Sequence, residues 1–585
     1  MTAAPLPVSQ FKYDPVDTLP EHQPWCVDAP PIRARMSIVD LTVDISEYSK
    51  PPPNVPDPPK ARWGTLEFRV YTAVACVVLP IMAWIPISLS QPSNPNYWQF
   101  QGRLSHGWIP FRNVDNSDAQ YRSFRSNFLL LTFLAALYLF CKFISTRLRT
   151  PSPPSANNLH LLPYNFVCAL LFVLGLHGTS ALKILAILSV NYLIARVCKA
   201  SRAGPALTWV FNALVLFAND RYAGYRFGDV LPELGVLDSY QGAYKRWHIV
   251  FNLTMLRLVS FNMDFYWACN ASDLQEYRHK RPMTHKERKA SHPTQMYSFL
   301  NYVSYVLYPP LYIAGPIMTF NDYLWQHRRP IHIPLRTAIM YGLRLLVSLL
   351  TMELVLHFMY VVAIKDARAW TGNTPAQISM IGFWNLIIVW LKLLIPWRFF
   401  RLWALLDGLE APENMVRCMA NNYSTLGFWR SWHRSYNLWL IRYIYVPLGG
   451  SRRMLLNTAL VFTFVALWHD RTFKLLAWGW LVSLFVLPEV VAATYILPAS
   501  QYGGKWWYRH VCALGAVANI LMMMGANLVG FVIGTDGVRF FVRELFGTAQ
   551  GIVFFAAACA CLFVGAQIMF EYREEEKRKG IYRRC

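Results

Sequence analysis

Long apolar runs recur along the whole chain, and no other feature constrains its fold as strongly. They lie near 69–89, 126–145, 161–178, 181–198, 205–219, 296–318, 335–364, 378–396, 454–468, 475–497, 510–533 and 551–571. A helix needs roughly 20 mostly apolar residues to cross the hydrocarbon core, and most of these runs approach or reach that length; 205–219 is short for a crossing. In lipid a backbone polar group finds no water, so each crossing must close its hydrogen bonds internally as a helix. The expected fold class is all-α, a polytopic transmembrane helical bundle. The charged fraction agrees: 15%, where soluble domains carry about 25%.

Two segments break the pattern. Residues 247–269 carry Arg257, Asn262 and Asp264 inside an apolar frame, and residues 397–450 are aromatic and basic throughout. Both are poor lipid-facing helices, because polar or irregular backbone at membrane depth needs protein or water around it. They are expected to form re-entrant or interfacial elements around a central tunnel. Asn262 and Asp264 either line a passage or satisfy each other and Arg257; the structural role is favoured.

The formal net charge is +23. In a soluble protein that would suggest nucleic acid. Here the basic residues sit in short loops between apolar runs, as cytosolic loops beside anionic lipid do. Membrane lipids are therefore the expected partners, and no nucleic acid is. The loop Glu276–Lys289, the stretches around Arg147–Arg149 and Arg196–Arg202, and the C-terminus all read as cytosolic. These assignments agree if 296–318 dips in and returns; the segment after 454 then rises toward the lumenal side. Residues 1–60 read as an N-terminal cytosolic proline-rich tail, 61–572 as a multi-span membrane domain and 573–585 as a basic cytosolic tail. "KPPPNVPDPPK" is a stiff spacer, and "MSIVDLTVDISEY" before it reads as a short strand or a docking segment. With no early apolar core, the first span is expected to serve as signal anchor.

The 11 cysteines are scattered and show no CxxC pair with zinc spacing, so neither a metal site nor a disulfide framework is expected. A G-x-S-x-G elbow, a P-loop and H-E-x-x-H are all missing. The conspicuous polar positions are two tryptophan–histidine pairs, Trp432-His433 in "GFWRSWHRSYNLWLIRYIYVPLGGSRR" and Trp468-His469 in "VFTFVALWHDRTFK". Either histidine alone fits a belt of interfacial aromatics. An ionisable residue beside or within a span is nonetheless a functional candidate by default, and here there are two, separated by a turn that sends the chain back into the membrane.

"GFWRSWHRSYNLWLIRYIYVPLGG" followed by "LVFTFVALWHD" resembles the membrane-bound O-acyltransferase superfamily. "LRLVSFNMDFYW" and "YVLYPPLYIAGPIMTFNDY" resemble its earlier blocks in the expected order, so the likeness spans roughly 250–470. "RWGTLEFRVY", "NPNYWQFQGRLSHGWIPFRNVDNSDAQYRSFRSNF" and the WHD ending are similar to the fungal glycerol uptake protein branch. That branch is associated with remodelling glycosylphosphatidylinositol (GPI) anchors.

The resemblance implies an enzyme of the endoplasmic reticulum membrane. It would move a (very-)long-chain acyl group from acyl-CoA, a cosubstrate rather than a bound cofactor, to the sn-2 hydroxyl of a lyso-GPI lipid or GPI-anchored protein. It makes His469 the general base and gives His433 an orienting or polarising role. Asp470 is a shaping or structural residue, since neighbours on a helix do not face each other. Arg430, Arg434, Arg442, Arg452 and Arg453 suit the phosphates of the donor, and Trp429, Trp432 and Trp439 could line the channel for its pantetheine arm. Ordinary positive-inside charge and interfacial packing account for the same residues. The sequons at Asn252, Asn270 and Asn422 fall at membrane or cytosolic positions, so glycosylation is not expected there. A glycerol–proton transporter is the alternative from another class; it would favour paired repeats, and the two halves of the chain show none. Acylation of a protein or of a different lipid is the alternative within the superfamily.

Overall fold

The computed structural model describes residues 59–148, 157–271, 287–469, 473–579 and 581. The proline-rich tail, most of the loop Glu276–Lys289, and Asp470 lie outside the described residues.

Nine described helices are long and apolar enough to cross a membrane. We label the helices used below in chain order: α1 Leu66–Leu89, α2 Ala119–Leu148, α3 Ala203–Arg221, α4 Trp247–Asn270, α5 Phe299–Val306, α6 Pro375–Leu406, α7 Thr425–Ser431, α8 Arg434–Leu440, α9 Met454–His469, α10 Phe473–Val491, α11 Gly534–Phe546 and α12 Ala549–Arg578. The only strands among the described residues form a three-residue antiparallel pair, Leu104–His106 with Asn113–Asp115. The chain is an all-α polytopic membrane protein.

Local sequence starts these helices where it should. Thr65 caps α1 by accepting from the Phe68 amide. α6 opens on Thr374-Pro-Ala-Gln, a capping box in which Thr374 and Gln377 satisfy each other's backbone amides, with proline at the first position, where no amide is needed. Burial then sorts the helices. Half of the apolar window of α6 is buried, against 11% for α1 and 6% for α2. α6 therefore runs through the middle, while α1 and α2 turn most of their apolar surface outward, as lipid-facing helices do.

Of the two forms expected for the segment 247–269, re-entrant or interfacial, the first does not hold: it is one continuous helix, α4, without a break, and it is not among the nine long apolar helices. Its polar groups are tolerated because protein surrounds it on nearly every side, which is where a helix without a clear polar face belongs. The three polar residues do not pair with one another. Arg257 donates to the carbonyls of Val306, at 3.0 Å, and Leu311. Asn262 bonds Asn191 and Thr208, and Asp264 takes Arg442 at 2.8 Å.

The run 296–318 does not cross. α5 stops at Val306 and a single turn follows at Pro309–Tyr312. The two prolines have no amide to donate to the preceding turn, and there Arg257 takes the Val306 carbonyl; the Leu311 carbonyl, beyond the prolines, accepts from both Arg257 and the Gly315 amide. The boundary expected at 572 also falls inside a helix: α12 runs to Arg578. Its last turns are held by Glu576 with Arg417 at 2.8 Å and by Glu571 with Arg578 at 2.7 Å. The run 205–219 lies in α3, which is not among the nine.

Candidate active site

After α6 the chain passes Gly408, in the left-handed region at φ 88°, and returns in extended form to α7. Ser424 caps α7 from within. Glu489 of α10 caps it from outside, accepting from the Ser424 hydroxyl and from the amides of Thr425 and Leu426. A carboxylate suits a helix N-terminus, where four amides lack intrahelical partners. This cap fixes α7 against the α9–α10 hairpin. That hairpin closes tightly at Gly479, where a Cβ would sit 2.9 Å from the Phe462 carbonyl oxygen.

His433 occupies the joint between α7 and α8. Its backbone is left-handed, φ 45° and ψ 48°, a conformation that costs of order 1–3 kcal/mol outside glycine and persists only where the surroundings impose it. Its ring stacks on Trp397 of α6, with centroids 4.6 Å apart and planes 23° from parallel. Tyr436 packs against the same ring at 5.1 Å. Nε2 has no hydrogen-bond partner among the described residues. Burial first, and the nearby His469 second, push this imidazole down to about 3, so it is neutral at physiological pH.

His469 is the last residue of α9. Sixteen residues make about 24 Å of helix at 1.5 Å per residue, short of the roughly 30 Å hydrocarbon core. The apolar run therefore ends before a full crossing, which explains why polar residues follow it so abruptly. Trp468 is buried and stacks on Tyr436 at 4.6 Å. The rings of Trp397, His433, Tyr436, Trp468 and His469 form a continuous series, each within 5.1 Å of the next.

Both histidines line one cavity of about 2000 Å³. The ring of His469 is open to it. The wall is mainly apolar and, among the described residues, carries no carboxylate. Its cationic side chains are Arg246, Lys392 and Arg430; Lys392 is paired with Asp118 at 2.7 Å. Trp429 Nε1 and the Tyr436 hydroxyl belong to residues on the same wall and lack partners within the described protein. Such a surface offers a large apolar volume with a few unspent hydrogen-bonding groups beside two imidazoles.

The residues singled out from sequence divide. His433, His469, Arg430, Trp429 and Trp432 come together on this wall; Arg434, Arg442 and Arg452 do not. Arg442 is bound to Asp264 and to the Lys289 carbonyl, with its guanidinium 4.9 Å over Trp267. Trp439 is buried and donates to the Leu256 carbonyl. Arg452 and Arg453 are exposed in the turn before α9. Sequence reasoning passed over Trp397, Tyr436 and Asn252. Asn252 stood out only as a sequon, yet it lines the cavity and bonds Trp468.

Fold and site together define a multi-pass membrane protein with an internal apolar cavity bordered by two histidines. The profile of MBOAT, the membrane-bound O-acyltransferase family, matches residues 237–535, which include both histidines. The chain belongs to that family and is an O-acyltransferase. It is 46% identical over 535 residues to the membrane-bound O-acyltransferase GUP1 of Saccharomyces cerevisiae, covering 89% of this chain and 94% of that protein. With gup1 of Schizosaccharomyces pombe the figures are 41%, 90% and 92%. A more distant match, 29% identical over 268 residues, covers 43% of this chain and 52% of the mouse protein-cysteine N-palmitoyltransferase HHAT.

Proposed function

We propose that this protein is an acyl-CoA-dependent lipid O-acyltransferase. It places a (very-)long-chain acyl group on the sn-2 hydroxyl of a lyso-GPI anchor lipid in the endoplasmic reticulum membrane. The observation that carries this reading is the position of His469, at the end of a short helix, its ring open to a large apolar cavity that His433 shares. The mouse relative's name, a palmitoyltransferase, supports the use of long acyl chains within the family.

In this reading the acyl chain lies in the apolar cavity and the acceptor hydroxyl approaches His469. The neutral imidazole takes the hydroxyl proton as the oxygen attacks the thioester carbonyl carbon. General-base help of this kind typically contributes about 10²–10⁴ in rate. The carbon–sulfur bond then breaks, the proton passes to the departing thiolate, and the ester and free CoA leave. His433, held neutral, can donate a hydrogen bond from its ring toward the carbonyl oxygen as charge gathers there. Arg430, on the cavity wall, and the exposed Arg452 and Arg453 are the arginines available for the donor's phosphates.

The test is a lipid assay with purified protein, lyso-GPI and labelled acyl-CoA. Label appearing at the sn-2 position supports the reading. Transfer to no glycerolipid acceptor, alongside glycerol flux in liposomes, would replace it with transport.

A further inference from the structure

The chain beside each cavity histidine is held by an asparagine that lies elsewhere in the sequence. Asn252, in the second turn of α4, donates from its side-chain amide nitrogen to the main-chain carbonyl of Trp468 at 3.3 Å. Trp468 answers by donating from its indole nitrogen to the Asn252 carbonyl at 3.0 Å. The two bonds bracket the peptide that leads into His469. They fall where α9 ends and its last carbonyls have no intrahelical donor.

Asn414 does the complementary task for His433. Its backbone carbonyl accepts from the Arg434 amide at 3.1 Å, and its side-chain oxygen accepts from the Ser435 amide, also at 3.1 Å. These are first-turn amides of α8, immediately after the left-handed His433, and Asn414 is fully buried. The Met415–Trp432 bridge clamps the residue on the other side of the histidine. Asn414 thus supplies the contacts that impose the strained backbone at His433.

We infer that Asn252 and Asn414 are the positioning residues of this acyltransferase, Asn252 setting His469 through a donor and Asn414 setting His433 through an acceptor. The inference rests on the catalytic reading of the two histidines given above. Neither asparagine need touch substrate. Their amide orientations are fixed by main-chain partners, because a carbonyl can only accept and an amide N–H can only donate.

That asymmetry gives the test. Asparagine and aspartate have the same shape, but aspartate keeps the acceptor and loses the donor. Asn252→Asp should lower kcat roughly tenfold to a hundredfold, as misplacement of a reacting group by about 1 Å does, with the KM for acyl-CoA unchanged. Asn414→Leu should lose activity by a similar factor, and Asn414→Asp should rescue most of it, because its carboxylate still accepts from Ser435. Melting in detergent is measured on the same preparations. Should Asn252→Asp fail to fold, Asn252→Ser, too short to reach the carbonyl and without charge, makes the same comparison.

Asn252→Asp turning over like the native enzyme, or Asn414→Asp falling as far as Asn414→Leu, would overturn the inference. So would losses that track melting temperature alone. A native protein that transfers no acyl group would instead remove the proposed function, and the two failures are told apart by that control.

Discussion

Arg442 donates to Asp264 at 2.8 Å, and the pair ties the turn after α8 to the central helix α4. The aspartate side chain is fully buried. It also accepts from the Tyr443 hydroxyl at 3.0 Å and from the Asn321 amide at 3.3 Å. Removing one partner of such a pair strands the other charge and typically costs about 3–5 kcal/mol. Arg442→Ala and Asp264→Ala should each lower melting temperature and membrane yield sharply, and the double variant should add little to either single. A folded Arg442→Ala protein with native melting and a raised KM for acyl-CoA would return this arginine to the donor site.

Arg430 behaves differently because it is exposed and reaches the cavity wall. Reversal of charge at Arg430 together with Arg452 should raise the apparent KM for acyl-CoA about tenfold or more, leave the KM for the lipid acceptor in place, and barely change melting. Steeper salt dependence of donor binding in the native protein than in the variant gives a second check, since the attraction is screened within about 10 Å at 0.1 M salt. Equal effects on both substrates contradict the assignment.

These two arginines also mark how far the sequence could be read. Both stand in one basic aromatic block, and nothing local separates them. What divides them is Asp264, 178 positions from Arg442, a partner that only the fold brings near. The spans were legible because lipid enforces long apolar helices wherever the chain crosses. The central helix was not, since a helix buried on all sides needs no apolar stripe and its polar residues look like breaks. The two histidines were visible as ionisable groups beside apolar runs. Asn252, Asn414 and Trp397 were not, because their role lies in contacts with main chain or ring faces that leave no local pattern.

His433 yields a prediction in which backbone and charge agree. Asparagine tolerates the left-handed region better than most residues, and its amide can still donate. His433→Asn should therefore keep more activity than His433→Ala, which carries strain without a donor. The imidazole is pushed down to about 3 by burial, below its ordinary value near 6.5. The unfolded chain then binds a proton that the folded one refuses, so this residue makes stability fall as pH drops below about 6.5, with the loss levelling off near 3. Melting followed from pH 7 to 4 should show a shallower acid-side decline in His433→Asn than in the native protein. Identical slopes would mean that the histidine is protonated in the folded state.

The last prediction concerns His469, where a structural role and a catalytic role part company. A histidine that merely packed at a helix end would lose contacts when removed, and thermal stability would drop while turnover survived. The ring here is open to the cavity and has no hydrogen-bond partner among the described residues. The anchoring of this helix end runs instead through the buried Trp468 and its two bonds to Asn252. The ring's edge-to-face contact with Trp468 at 4.8 Å is worth roughly 0.5–1.5 kcal/mol, a small share of the stability of a chain this long. His469→Ala should therefore melt within a degree or two of the native protein and bind acyl-CoA as before. Its single-turnover transfer should fall by at least about a hundredfold, because proton removal from the acceptor matters only in the transition state. Trp468→Ala serves as the contrast: it removes the indole's bond to Asn252 and the packing on Tyr436, keeps only the main-chain carbonyl bond, and should lower both melting and transfer. A folded His469→Ala enzyme with near-native transfer would end the assignment of this residue as the base, and the proton would have to be taken by another group on the cavity wall.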